Sequence, residues 1–154
     1  AVERIRQAVP QISITTDIMV GFPGETDKEF EESLRFCKQM VFANMHIFSY
    51  SPRPGTAAAS VTEQIDERVK KERSRAMQKL ARESAALFSR QLCGETLPVL
   101  WETEIAPGVW DGLTDNYIRV MTSSNRPLNN EITIARLSDN YNKHFKCIEA
   151  ELFT

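Results

Sequence analysis

The chain has 154 residues, 42% of them apolar, and a formal charge of −2. That length accommodates one ordinary domain or two small ones. The charge excludes a strongly basic nucleic-acid binder but leaves room for a local basic face. No stretch approaches the roughly 20 apolar residues of a membrane span, no signal peptide is visible, and no membrane partner is expected. The opening at Ala1, inside the helical pattern Val2, Ile5, Val9, suggests an excised piece. Cys37, Cys93 and Cys147 form no Cys-x-x-Cys pair, which fits free thiols in a reducing cytoplasm.

The helix of residues 2–9 is closed by Pro10. From Ile12 to Val20 the side chains alternate. Ile12, Ile14, Ile18 and Val20 share one parity, and Ser13, Thr15, Asp17 and Met19 the other. Period-2 geometry therefore predicts a strand with one face under helices and one facing a polar interior. Gly21-Phe22-Pro23-Gly24 cuts the strand off, and Thr26 with Glu29 reads as a capping box opening a helix with Phe30, Leu34, Cys37 and Val41 on one stripe. A second strand, Met45 to Tyr50, follows, with His46, Phe48 and Tyr50 as the candidate interior set. It ends in the stiff loop Ser51-Pro52-Arg53-Pro54-Gly55-Thr56. Strand, glycine turn and capped helix make half a βαβ unit, and such sheets take ligands at the carboxyl ends of their strands.

Ser60-Val61-Thr62-Glu63 reads as another capping box, opening a helix from about Thr62 to Leu92 with Ile65, Val69, Ala76, Leu80, Leu87 and Phe88 on or near one stripe. Eight Lys or Arg against five acids give it a net +3, either a solvated face or a phosphate-facing ridge. After Gly94 five short strands are predicted, at 97–103, 109–112, 116–121, 131–137 and 145–152, which suggests a small closed barrel of the OB type. The boundaries read 1–60, 61–94 and 95–154.

Several residues carry candidate chemistry. Asp17 lies inside a strand on the inward parity, where an unpaired carboxylate is costly; it should pair with a cation or hold substrate. Glu25 in a first helical turn is explained by capping as well as by catalysis. Arg53, fixed between two prolines, suits either phosphate or carboxylate recognition or a loop salt bridge. His46 reads as a packed strand histidine, with no second ligand at metal spacing. In the β region, Trp110, Tyr117 and Arg119 stand near Thr114 and Asn116, a set suited to base stacking and phosphate contact or simply to a core. Residues 95–154 hold nine acids and five Lys or Arg, a net of −4, so RNA affinity there should be modest and shared.

The two loops Gly21-Phe22-Pro23-Gly24-Glu25-Thr26 and Tyr50-Ser51-Pro52-Arg53-Pro54-Gly55-Thr56, with Gly112-Leu113-Thr114-Asp115-Asn116-Tyr117 downstream, resemble the C-terminal part of the radical S-adenosylmethionine methylthiotransferases and the TRAM domain that closes them. The resemblance covers nearly the whole chain. It implies an α/β piece, the C-terminal part of a partial TIM-like barrel, followed by an OB-like TRAM barrel. It implies that Asp17, Gly21, Pro23, Gly24, Glu25 and Tyr50 border S-adenosylmethionine, and that Arg53, Thr114, Asn116, Tyr117 and Arg119 meet RNA. The family uses S-adenosylmethionine and two 4Fe-4S clusters held by cysteines. The Cys-x-x-x-Cys-x-x-Cys triplet is absent here. This piece is therefore expected to hold no metal, to be inert alone and to depend on missing N-terminal domains.

Within that family, His46-Ile47-Phe48-Ser49-Tyr50-Ser51 and Thr114-Asp115-Asn116-Tyr117 most resemble the subgroup acting on N6-threonylcarbamoyladenosine in the tRNA anticodon stem-loop. The isopentenyladenosine subgroup is the alternative, and a non-catalytic RNA-binding module is the reading from another class. Two strands with unpaired outer edges also predict self-association.

Overall fold

A computed structural model describes residues 1–145 and 147–153. Position 146, within the expected strand 145–152, and position 154 lie outside the described residues. Residues 14–88 form one unit; residues 3–13 with those from 89 onward form the other.

In the first unit, β1 (Thr15–Val20) pairs in parallel with β2 (Asn44–Ser49), joined by α2 (Asp27–Met40). The expected capping box is present: Thr26 accepts from the Glu29 N–H, and the Glu29 carboxylate accepts from the Thr26 N–H at 2.8 Å. Ile18 and Val20 of β1 and Met45 and Ile47 of β2 turn to one side of the pair. There they pack with Phe30, Cys37 and Phe42 against Met77 of α3 (Glu67–Gln91), as the alternation predicted. β1 starts at Thr15 rather than Ile12.

The start and phase of α3 differ from the expectation. Residues 61–66 stay extended or turned, so the expected capping box of Ser60 and Glu63 does not form. The Glu63 carbonyl instead accepts from the Gly24 N–H at 2.9 Å, and the Gln64 side-chain amide donates to the Ala58 and Val61 carbonyls. Asp66 takes the capping role, its carboxylate accepting from the Arg68 N–H at 2.8 Å. The buried side of α3 carries Lys70, Arg73, Met77, Ser84 and Phe88, while Leu87 is exposed. A search for apolar periodicity misses that phase because three of the five buried residues are polar.

The second unit opens with α1 (Val2–Ala8) and contains β3 (Thr96–Ala106), β4 (Val109–Thr114), β5 (Arg119–Ser123), β6 (Ile132–Asn142) and β7 (Cys147–Leu152). They close into a barrel in the order β3-β4-β5-β7-β6, with β3 and β6 sealing it from Thr96↔Arg136 to Leu100↔Ile132. Closure removes the open edges that invite foreign strands. Val99, Trp101, Val120 and Leu137 are essentially inaccessible at its centre. Gly112 sits where a Cβ would lie 2.5 Å from the Leu100 carbonyl oxygen and 2.9 Å from the Trp101 ring, so only glycine fits. β5 starts at Arg119, not Asn116, because Thr114 to Tyr117 close a turn first. Among the described residues no helix is long and apolar enough to cross a membrane.

Candidate functional site

In residues 14–88, two loops leave the carboxyl ends of β1 and β2. The first is tied down from within. Gly21, at φ +71°, donates its N–H to the Glu25 carboxylate at 2.7 Å. Arg73 of α3 reaches up to the same carboxylate at 2.6 Å, to the Glu25 carbonyl at 3.0 Å and to Asp27 at 2.7 Å. Burial alone would lower the Arg73 pKa, but the hydrogen bonds it donates to the Asp27 and Glu25 carboxylates outweigh it and leave the guanidinium above its ordinary value. Lys70, one turn earlier on α3, lays its stem against Gly21 and donates to the Tyr50 carbonyl at 3.3 Å and to Glu67 at 2.5 Å. Tyr50 is buried edge-on to Phe22 with ring centroids 5.3 Å apart, and its hydroxyl has no hydrogen-bond partner among the described residues.

Glu25 precedes the Thr26 N-cap instead of standing in the first helical turn, so it does not cap α2 and serves as the internal brace of its own loop. Gly24, at φ +83°, has nothing within 4 Å of where a Cβ would be, so that stretch of backbone is open to an approaching group. Pro23 lies buried between the two glycines.

The side of the pair away from the helices is uncovered. Asp17 registers with His46 and Met19 with Phe48, and all four are exposed. Met19 and Phe48 keep 53% and 51% of their surface open. Asp17 makes no side-chain hydrogen bond or ion pair among the described residues, so the pairing alternative for it is not realised there. His46 is exposed on this uncovered face and not packed as expected, and among the described residues its side chain has one hydrogen-bond partner, Asn44 at 3.4 Å. Tyr50 departs from the expected interior set: it follows the last strand residue and turns inward, away from His46 and Phe48.

The second loop is braced from within, by its own backbone and the Thr56 side chain. Thr56 donates its hydroxyl to the Arg53 carbonyl at 2.8 Å, and Gly55 turns at φ +82°. The Arg53 side chain is exposed and makes no ion pair or hydrogen bond among the described residues, so the loop salt bridge is absent.

In the barrel, the turn residues have mixed fates. Thr114 is buried, its hydroxyl bonded to the Asn116 side chain at 2.6 Å and to the Ile118 N–H at 2.9 Å. Asn116 also donates to the Gln11 carbonyl at 3.2 Å. Tyr117, at φ +62°, is 80% exposed. Arg119 is half exposed and paired with Asp111 and, at 3.4 Å, with Glu102. Trp110 is core, not a stacking platform. Where β5 and β7 share only two paired positions, a cavity of about 860 Å³ opens between Thr122, Ser124, Arg126, Asn140, Glu149 and Glu151. It depends on strands that diverge, which nothing in the sequence signals.

Lys70 and Arg73 were missed by sequence reasoning, which placed them in a basic run. Their signal was phase: they stand on the same helical side as Met77, Ser84 and Phe88.

An iron–sulfur cluster does not fit these residues. Cys37 is buried in α2 and Cys147 in β7, burial raises the pKa of both thiols, and no group of three His, Cys, Asp or Glu among the described residues can hold a metal ion.

No family model matches the chain. Among curated proteins, it is 37% identical over 125 residues to the threonylcarbamoyladenosine tRNA methylthiotransferase MtaB of Thermotoga maritima, an alignment covering 81% of this chain and 29% of that protein. It is 45% identical over 101 residues to the tRNA-2-methylthio-N(6)-dimethylallyladenosine synthase of Maricaulis maris, covering 66% and 22%. A protein of the same name from Bartonella bacilliformis is 37% identical over 134 residues, covering 86% and 29%. The chain is homologous to the tRNA methylthiotransferases. It spans less than a third of the length of these methylthiotransferase relatives.

Proposed function

We propose that the chain is the C-terminal part of a radical S-adenosylmethionine tRNA methylthiotransferase that modifies N6-threonylcarbamoyladenosine beside the anticodon. The observation that carries this reading is the identity of 37% or more to tRNA methylthiotransferases of two names. In this reading residues 1–60 complete the radical-enzyme barrel, 61–94 connect, and 95–154 form a TRAM-like module of the OB type.

S-adenosylmethionine would lie over the exposed face of β1 and β2. The chain's own residues bind and orient there. Asp17 offers a free carboxylate, Gly24 lets backbone approach closely, and Gly21, Pro23, Glu25 and Tyr50 hold the surrounding loops in shape. Arg53, presented without an internal partner, would take a phosphate or carboxylate of the substrate. Tyr117 would stack on a base, with Thr114 and Asn116 fixing its turn and Arg119 beside it. The clusters would be held by cysteines of other domains, and this chain alone would be inert. The outer edges of β1 and β2 would take strands from those domains or, without them, from a second copy.

A second reading, the dimethylallyladenosine (isopentenyladenosine) substrate, is favoured by the 45% identity to the Maricaulis maris protein. The test is the full-length protein, expressed in a bacterial strain lacking both methylthiotransferase activities, followed by mass spectrometry of tRNA nucleosides. The 2-methylthio derivative of N6-threonylcarbamoyladenosine is expected. The dimethylallyl derivative alone would move the protein to the second reading. Neither derivative, with the protein soluble and its clusters loaded, would leave the non-catalytic RNA-binding module.

A further inference from the structure

We propose that the outward side of α3 is a phosphate-contacting ridge for tRNA, so that the helix supplies the backbone contact that the barrel's charge cannot. This rests on the tRNA reading above and adds the surface that holds it. The eight cations of the helical segment divide by phase, with exposed Arg90 standing apart near its C-terminal end. Lys70 and Arg73 point inward and are spent on the strand-end loops. Arg68, Lys71, Arg75, Lys79 and Arg82 are all exposed. At ~100° per residue these five fall within an arc of about 80° and extend over about 21 Å of helix. That arc lies opposite Met77 and Ser84, which are buried.

The ridge is free to act. Among the described residues Lys79 has one weak partner, Glu83 at 3.9 Å, both well exposed. The side chains of Arg68, Lys71, Arg75 and Arg82 make no ion pair among the described residues. Glu72 and Glu83 flank one side of the stripe and do not interrupt it. The barrel is the contrary case. Its region carries a net of −4 (five minus nine), and Arg119 and Arg126 are each engaged by acids. A row of unpaired cations matches a polyanion whose charges recur along its length, and its contribution depends steeply on salt.

The test is fluorescence anisotropy of the whole chain with tRNA between about 50 and 200 mM salt. The variant Arg68→Gln/Lys71→Gln/Arg75→Gln/Arg82→Gln should lose at least about tenfold in affinity at the low-salt end. Its slope of log affinity against log salt should fall by about one per cation removed. The charge-retaining variant Arg68→Lys/Lys71→Arg/Arg75→Lys/Arg82→Lys should keep both. Circular dichroism checks that each variant is as helical as the parent, and Arg75→Gln/Arg82→Gln should give half the change in slope. Unchanged affinity and slope in the glutamine variant would overturn the ridge while leaving the tRNA reading in place. Equal loss in the glutamine and charge-retaining variants would also overturn it, since charge would not be the cause. If the parent chain binds no tRNA at any salt, the ridge is overturned, while the tRNA reading stands or falls on the nucleoside analysis of the full-length protein.

Discussion

The two strand-end loops of residues 14–88 carry charge in opposite ways. In the first, Glu25 is 14% exposed and gripped by the Gly21 N–H and by Arg73, itself 6% exposed. In the second, Arg53 stands in solvent on a loop held by its own backbone and Thr56. A buried charge must be matched where it lies. An exposed one on a stiff loop is left free to meet something else. The first loop is therefore held as architecture, and the second leaves its charge on display.

Replacing Arg73 by Ala should break this comparison most severely. It strands the Glu25 carboxylate in a largely buried site, and breaking a buried pair costs about 3–5 kcal/mol. Urea denaturation followed by far-ultraviolet circular dichroism should show a loss of unfolding free energy of that order; a change below about 0.5 kcal/mol, the surface norm, would mean the brace carries no load.

The glycines should divide the same way. At Gly21 an added Cβ would lie 2.4 Å from the Lys70 Cγ, part of a buried stem with little room to yield. Left-handed strain of about 1–2 kcal/mol and an overpacking cost of about 1–3 kcal/mol then add. At Gly55 an added Cβ meets nothing within 4 Å, and Gly55→Ala should cost the strain of about 1–2 kcal/mol alone. Equal costs from paired thermal melts would show that the packing around Gly21 does not matter.

Thr26→Ala should cost about 1 kcal/mol as a lost helix cap. It also changes the response to acid. Hydrogen bonds from the Thr26 N–H first, and its hydroxyl second, hold the Glu29 pKa below its ordinary value. A depressed carboxylate stabilises the fold above its unfolded pKa, and that stability is lost as pH falls through the folded value. With the hydroxyl gone, the loss of stability between about pH 5 and 3 should be shallower. A carbon-detected titration showing the Glu29 carboxyl unmoved in the variant would rule this out.

Arg53→Ala should be the quietest for the fold, within about 0.5 kcal/mol. In the full-length enzyme it should lower tRNA modification by roughly one to two decades, the worth of a charge-assisted contact of about 1.5–3 kcal/mol. Normal turnover would make Arg53 decoration.

The loops, the alternating strands and the Thr26 cap were legible because each rests on local chemistry: glycine turns, period-2 patterning, a hydroxyl three residues before a glutamate. The five β segments were legible for the same reason, from turn residues between short apolar runs. The start of α3 was not. Ser60 and Glu63 have the spacing of a capping box, but Ser60 ends a short 3-10 turn and the Glu63 carbonyl is taken by Gly24, which lies far away in sequence. Nor was the partner of Glu25, because Arg73 sits 48 residues on and looks like any cation of a basic helix. Asp17 was read correctly for parity, but its freedom from any partner could be seen only once its neighbours were placed. Long-range polar pairing leaves no periodic trace.

The cysteines that cannot gather around iron have another consequence. Cys37 lies in the core of one unit and Cys147 in the core of the other, each with 2% or less of its surface open and its thiolate disfavoured by burial. A thiol so placed reacts with an aqueous disulfide reagent only when its surroundings open. Each unit thus carries its own clock: the labelling rate at Cys37 times the opening of the α2 core, and that at Cys147 times the breathing of the barrel. Cys93, half-buried at the end of α3, would report first. Mass spectrometry of labelled peptides would read all three from one sample, giving the local stabilities of two neighbouring folds without a single introduced probe.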